Sequence, residues 1–172
     1  MTTTAVVVNV ALFQAGWFAC VLGAAQGWSH AGPLFALAIV AGYVARAPKP
    51  RRELLLVAIA VAAGALADSL LAAAGWVDYQ GAAPIEGAAP YWILALWALL
   101  AVTLNVSMRS LRGRPALGAL LGLIGGPLAY LGGEKLGAVV LAQPLPALAA
   151  LAVVWALATP LLLSLALRME GT

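Results

Sequence analysis

Six stretches of the chain are almost free of charged residues, and each is long enough, or nearly so, to cross a bilayer as an α-helix. A transmembrane helix needs about 20 consecutive apolar residues, because each residue adds roughly 1.5 Å across a hydrocarbon layer of about 30 Å. We therefore predict an all-α polytopic membrane protein, a bundle of about six transmembrane helices in a single domain over residues 1–172. The predicted spans are residues 5–27, 30–45, 54–75, 91–110, 115–133 and 147–167.

The positively charged residues predict how this bundle is oriented. Lys and Arg accumulate in the cytoplasmic loops of membrane proteins. With six spans, one face of the bundle carries all but one of the nine basic residues, and only Lys135 lies elsewhere. We therefore expect both termini in the cytoplasm. The basic residues of that face are Arg46, Lys49, Arg51, Arg52, Arg109, Arg112, Arg114 and Arg168.

Two outer connections are predicted from their composition. Span five is expected to reach the outer interface near Glu134, with residues 136–141 forming a partial extra turn. Residues 76–89 are rich in Gly, Ala and Pro, which favours an irregular outer lid. Within span five, glycine recurs every fourth residue, which predicts close packing of another helix. These glycines are Gly118, Gly122 and Gly126.

Composition excludes most soluble functions. The chain is 65% hydrophobic and only 9% charged, whereas soluble domains carry roughly 25% charged residues. The basic residues lie in short clusters beside the spans, so a nucleic-acid partner is not expected. With one His and one Cys, the chain offers no credible metal site. It has no nucleotide-binding glycine loop, and no cofactor is predicted.

Ionisable residues inside a span are the first candidates for function, because a charge at a helix centre costs about 2.5–3.5 kcal/mol. Asp68 lies roughly 22 Å from the cytoplasmic start of span three. We expect a ligand cavity in the outer half of the membrane, bordered by Asp68, Glu134 and Lys135, with His30 nearby. Lys135 is the expected ionic partner of Asp68. The alternative is a structural ion pair in the bundle, or charges that lie at the interface.

A second group of candidates lies toward the cytoplasm. Asn9 and Gln14 fall in span one and Asn105 falls in span four. Amide side chains in hydrocarbon seek hydrogen-bonded partners, so we expect a contact between Asn9 and Asn105. This group either holds helices together or binds a substrate. Three tryptophans fall in mid-span and line either an apolar pocket or the packed core: Trp17, Trp97 and Trp155.

The order of the polar and aromatic motifs resembles DUF2878, a family of bacterial inner-membrane proteins without an assigned activity. The resemblance spans nearly the whole chain and implies a multi-pass inner-membrane protein, but no reaction. The residues that carry it are Asn9, Phe13-Gln14-Ala15-Gly16-Trp17, Arg52-Glu53-Leu54, Asp68, Pro90-Tyr91-Trp92 with Leu96-Trp97, Thr103-Leu104-Asn105-Val106-Ser107 and Gly125-Gly126-Pro127-Leu128-Ala129-Tyr130.

Three functions are consistent with these patterns. The leading hypothesis is a protein that binds or transports a small molecule or lipid, rather than an enzyme. By analogy with the substrate-binding subunits of vitamin uptake systems, a partner membrane subunit would then supply the energy. The second hypothesis is an accessory or catalytic component of lipid modification, working around Asn9, Gln14 and Asn105. The third is a structural bundle. An outward pocket beside Asp68 would favour the first hypothesis, and a groove open sideways to lipid would favour the second. A tightly packed interior would favour the third.

Overall fold

The computed structural model describes residues 2–171 and folds them into six α-helices joined by short connections. The all-α prediction is confirmed. The helices are α1 (Thr3–Ala25), α2 (Ala31–Arg46), α3 (Pro50–Ala73), α4 (Tyr91–Leu104), α5 (Pro115–Lys135) and α6 (Pro144–Gly171). The strands β1 (Asp78–Tyr79) and β2 (Val139–Val140) pair antiparallel, and a 3-10 turn (Arg109–Leu111) follows α4.

Proline and glycine mark the boundaries of the long helices. Pro50 and Pro115 begin α3 and α5, where the missing backbone N–H is not needed. Just beyond α1 and α3, Gly27 and Gly75 have φ angles of 78° and 66°, a region that favours glycine. After each glycine, the N–H of the following tryptophan bonds back to a carbonyl of the last turn, at 2.7 and 3.1 Å. These bonds satisfy carbonyls that the helix end would otherwise leave unpaired.

Four helices are long and apolar enough to cross a membrane, namely α1, α3, α5 and α6. They indicate a membrane protein. The helices α2 and α4 are also apolar, but they have 16 and 14 residues and extend over only roughly 24 and 21 Å. Except at the end of α4, the predicted segments differ from the helix boundaries by at most four residues.

The fourth predicted segment is wrong at its end, because α4 stops at Leu104 instead of continuing to residue 110. The hydroxyl of Thr103 donates to the Leu100 carbonyl at 2.7 Å. The N–H groups of Val106 and Met108 both bond to the Thr103 carbonyl, at 3.0 and 2.9 Å. These local bonds compete with the helical pattern and turn the chain. The polar residues that follow Leu104 therefore contact other helices instead of extending α4.

The partial extra turn expected over residues 136–141 is also wrong. α5 ends at Lys135, and Gly137, with a φ of 85°, leads the chain into β2. β2 pairs with β1, so the lid predicted over residues 76–89 contains a short strand. The Ser69 hydroxyl accepts a hydrogen bond from the Ala89 N–H at 2.9 Å and holds the end of this lid on α3.

Glycines allow the closest helix pairs to form. A Cβ added at Gly122 would lie 2.0 Å from the Trp155 carbonyl oxygen, and one at Gly126 would lie 2.3 Å from the Trp155 ring. The packing role predicted for the glycine stripe of α5 is therefore confirmed, with α6 as the partner helix. α3 and α4 meet in the same way, because a Cβ at Gly64 would lie 2.1 Å from Trp97 Cδ1. Small residues at such positions let backbones approach.

The helix termini gather at two ends of the bundle. At one end, which we call the basic end, Asn9 of α1 donates to the Val102 carbonyl of α4 at 3.2 Å. There too, Arg52 of α3 donates to the Met169 carbonyl of α6 at 2.7 Å. The opposite end carries β1 and β2, and we call it the ribbon end. The starts of α1 and α3 and the last turns of α4 and α6 therefore lie together.

Candidate functional site

A cavity of about 530 Å³ lies inside the bundle. α1 and α5 form its side walls, and α4 with part of α6 forms its floor. It runs from Ser107 near the basic end to Val139 near the ribbon end. Small-molecule sites in proteins typically measure roughly 300–1,000 Å³, so the space is large enough for a ligand.

The cavity opens where α1 and α5 face each other. α1 packs on α2 and α4, and α5 packs on α6, but α1 and α5 have few contacts with one another. Lining residues on both walls are exposed: Val10 to 46%, Leu121 to 48% and Leu128 to 59%. Toward the ribbon end, Trp17 crosses the gap, and its ring lies 3.5 Å from where a Cβ would lie at Gly132. The opening therefore lies on the apolar side of the bundle.

The lining is apolar and aromatic. None of the described residues that line the cavity is Asp, Glu, His, Lys, Arg or Cys. At the floor, the rings of Trp97 and Trp155 stack with centroids 4.6 Å apart and planes 14° apart. The surface of the cavity is therefore mostly apolar, and Tyr130 is its one described ionisable side chain. The polar side chains that do line the cavity are Gln14, Thr103, Ser107, Tyr130, Thr159 and the four indoles Trp17, Trp92, Trp97 and Trp155.

Asp68 lies behind this wall and is only 1% exposed. Its Oδ1 accepts hydrogen bonds from the hydroxyls of Tyr79, at 2.7 Å, and Tyr130, and its Oδ2 accepts from Trp97 Nε1 at 2.8 Å. Burial and the neighbouring Asp68 carboxylate raise the pKa of Tyr79 far above its ordinary value, so this phenol remains a donor. Asp68 therefore positions two side chains of the cavity wall, Trp97 and Tyr130.

The predicted group of Asp68, Glu134, Lys135 and His30 does not come together. The expected ion pair of Asp68 with Lys135 is wrong, because Asp68 is bonded to the three donors and Lys135 is exposed. Glu134 accepts from the Leu141 N–H at 2.9 Å and so holds β2 on α5. None of the four lines the cavity. The pairing failed because α5 ends at Lys135, which leaves that side chain at the surface.

His30 lies at the start of α2, at the ribbon end. Its ring centroid is 6.0 Å from that of Tyr91 at the start of α4. Together with Pro33, Leu34 and Leu37, these two rings line a shallow groove on the outside of the bundle. The structure therefore separates His30 from both Asp68 and the cavity.

The expected contact between Asn9 and Asn105 is also wrong. Asn9 Oδ1 accepts from the Ser107 hydroxyl at 2.7 Å, because the chain turns after α4 and brings Ser107 over α1. Asn105 Nδ2 instead donates to the Glu53 carboxylate of α3, at 2.8 and 3.0 Å. Both amides therefore join helices at the basic end.

Sequence reasoning missed the ionic part of the basic end. Arg112, whose side chain is 4% exposed, donates to Asn105 and pairs with Glu170 of α6. Arg109 pairs with the same carboxylate at 2.9 Å. Tyr43 of α2 faces Glu53. In the sequence, the basic clusters indicated only how the bundle is oriented in the membrane. Nothing in the sequence indicated that Glu170 would lie beside Arg112.

Four of the predicted candidates do line the cavity, namely Gln14, Trp17, Trp97 and Trp155. Their role in binding stays a prediction. Sequence reasoning did not single out Tyr130 or Thr159 for such a site, although Tyr130 closes one of the quoted motifs. A Tyr fifteen residues into an apolar helix is a polar group in mid-span, and that signal could have found it.

The described side chains form no cluster of metal ligands. Within residues 2–171, no group of three or more His, Cys, Asp or Glu side chains is placed to hold a metal ion. The one cysteine, Cys20, is buried between α1 and α2, where a Cβ at Gly32 would lie 2.5 Å from the Cys20 Cα. It packs two helices together.

Comparison with known proteins places the chain in a family. Neither the curated proteins nor the solved structures contain a match to it. The sequence profile of one family, described as protein of unknown function (DUF2878), matches residues 6–161. That range includes every described residue that lines the cavity, the Asp68 cluster and the turn after α4. The resemblance expected from the motifs is confirmed, and the chain belongs to the DUF2878 family.

Proposed function

We propose that this protein is a six-span inner-membrane protein of bacteria that binds the hydrocarbon part of a lipid, or another hydrophobic small molecule, in the cavity between α1 and α5. One observation carries the proposal: an apolar cavity of about 530 Å³ opens on the side of the bundle. Lipid chains in the bilayer can reach such an opening without crossing the headgroup layer.

The distribution of helix ends supports six crossings. The connections α1–α2 and α2–α3 are short, so α2 must run back along α1. α4 likewise runs from the ribbon end to the basic end, where Asn105 meets Glu53 of α3. A short helix is accommodated by local thinning of the bilayer or by flanking polar residues. The eight basic residues at the basic end favour the cytoplasm as its location.

We expect a reporter at the C-terminus to lie in the cytoplasm. A fluorescent protein fused there should be bright, and alkaline phosphatase fused there should be inactive. Fusion at the C-terminus keeps Glu170 and its contacts with Arg109 and Arg112. The matched control inserts the same reporters near Glu86 in the lid, where the pattern should reverse. Active phosphatase at the C-terminus would contradict the proposed orientation.

The character of the lining supports binding rather than catalysis by this chain alone. The only described ionisable side chain on the cavity is Tyr130, and its hydroxyl is committed to Asp68. The Asp68 carboxyl group is in turn occupied by three donors. A nucleophile with an adjacent general base is therefore absent from the described lining.

Filling the cavity should reduce ligand binding without unfolding the protein. Gly125 lines the cavity, and a Cβ added there would meet nothing within 4 Å. We expect Gly125→Phe to lower the amount of lipid that co-purifies in mild detergent at least threefold, as measured by native mass spectrometry. The control is Ile124→Phe, on the neighbouring position of α5, which is 51% exposed and does not line the cavity. Equal lipid content in the two variants would contradict the proposal.

A second candidate function is that of an accessory component of lipid modification. The sideways opening favours it, because a bound chain would remain accessible to a partner in the bilayer. The polar side chains Thr103 and Ser107 line the cavity toward the basic end, where a partner could act on the ligand. If a bound lipid is modified only when a partner protein is present, this function is favoured over binding alone.

A further inference from the structure

Two polar side chains lie at the same depth in the cavity, one on the α1 wall and one on the floor. Gln14 is eleven residues into α1, which starts at the basic end, so it lies roughly 16 Å from that end. Gly126 is eleven residues into α5, and the Trp155 ring of α6 packs directly on it. Gln14 and Trp155 therefore face the cavity near the middle of the bundle, far from either headgroup layer.

Both side chains have unused hydrogen-bonding groups. The Trp155 Nε1 is buried and has no acceptor among the described residues. The Gln14 side chain forms no hydrogen bond with any residue of the 2–171 range. In hydrocarbon an unpaired donor costs free energy that a bonded one does not. By contrast, the polar groups of Trp97 and Tyr130 are hydrogen-bonded to Asp68.

The surroundings of these two groups carry no positive charge. The described lining contains no Lys, Arg or His, and the ionisable group bonded behind Trp97 is the acidic Asp68. A phosphate or carboxylate seated at this depth would have no counter-ion and would pay a large desolvation penalty. An indole N–H only donates, so its partner must be an acceptor.

From these groups we infer that the ligand carries an uncharged hydrogen-bond acceptor partway along its hydrocarbon chain, such as a ketone or ester carbonyl, which binds between Gln14 and Trp155. This inference rests on the proposed binding of a hydrophobic ligand in the cavity. A diacyl phospholipid at its usual depth does not meet the requirement, because its ester carbonyls lie near the headgroups.

The test uses the full chain, freed of co-purified lipid in detergent, and two probes of equal chain length. These are 8-hexadecanone, labelled with ¹³C at its carbonyl, and hexadecane. We expect native mass spectrometry to show the ketone bound about fivefold more tightly than the alkane, the ratio that one net hydrogen bond supplies. The infrared band of the labelled carbonyl should shift to lower frequency than in empty micelles.

Variants assign the effect to the two side chains. Gln14→Leu and Trp155→Phe should each reduce the preference for the ketone toward one and shift the carbonyl band back. Trp155→Phe keeps an aromatic ring against Trp97. The control Gln26→Leu, an exposed glutamine at the end of α1 that does not line the cavity, should keep the preference.

The two levels of the hypothesis fail in different ways. If the wild-type protein binds both probes equally and the carbonyl band does not shift, the polar anchor is wrong while the proposed function stands. The same holds if Gln14→Leu and Trp155→Phe retain the full preference. If neither probe binds, both the proposed function and the anchor are overturned.

Discussion

Gly122→Ala should destabilise the protein by about 3 kcal/mol, although it adds only one methyl group. The new Cβ would lie 2.0 Å from the Trp155 carbonyl oxygen and 2.6 Å from the Thr159 hydroxyl. A backbone carbonyl cannot rotate away as a side chain can, so α5 and α6 must separate. Overpacking of this kind typically costs about 1–3 kcal/mol, and here it falls on the most extensive helix pair of the bundle. Reversible unfolding in mixed detergent and SDS micelles measures the loss.

Gly125→Ala is the matched control for this change. It adds the same methyl group to the same helix, at a position where a Cβ meets nothing within 4 Å. Because alanine forms helices better than glycine by up to about 1 kcal/mol, this variant should be as stable as the wild type or more stable. If Gly122→Ala and Gly125→Ala were equally stable, the close packing of α5 on α6 would be contradicted.

Asp68→Asn should destabilise the protein by about 2–4 kcal/mol. The two Asp68 oxygens accept from three donors, namely Tyr79, Tyr130 and Trp97. An asparagine keeps one oxygen and directs an NH₂ group at a donor, which leaves at least one buried donor unpaired. Losing a bond to a buried acidic group has this magnitude. From sequence alone, Asp68 suggested a ligand contact, but its position behind the cavity wall now predicts a loss of stability first.

The control for this variant is Asp78→Asn, because Asp78 lies three residues after Gly75 and is exposed at the start of β1. Surface substitutions without buried partners usually change stability by less than about 0.5 kcal/mol. Unfolding in SDS and the near-UV circular dichroism of the tryptophans should both report the difference between the two variants. A stable Asp68→Asn with unchanged tryptophan signals would mean that the three-donor cluster does not hold the wall.

Helix positions were predictable because long apolar runs have few alternatives in a bilayer, where every backbone group must be satisfied within its own segment. The boundaries were also predictable wherever Pro or Gly marked them, as at Pro115 and Gly27. The end of α4 was not, because local bonds of Thr103 turn the chain inside a run that is still apolar. The pairing of β1 with β2 joins residues some sixty positions apart, and two-residue strands carry no periodic signal.

The candidate site was predictable only in part. A buried Asp68 in mid-span was rightly singled out as unusual, but sequence does not reveal which donors surround a carboxyl group. The sequence placed Trp97 in mid-span and Gln14 toward the cytoplasm, yet rotation about the helix axis decides what each side chain faces. The cavity itself is a gap between α1 and α5. Gaps depend on the arrangement of all six helices, and no local pattern encodes one.

The central claim is tested most directly by an experimental density map of the protein in lipid nanodiscs. We predict elongated density between α1 and α5, running along Gly125 and reaching the stacked rings of Trp97 and Trp155, with its widest part level with Gln14. A map in which α1 packs against α5 and side chains fill the space beside Gly125 would contradict the claim.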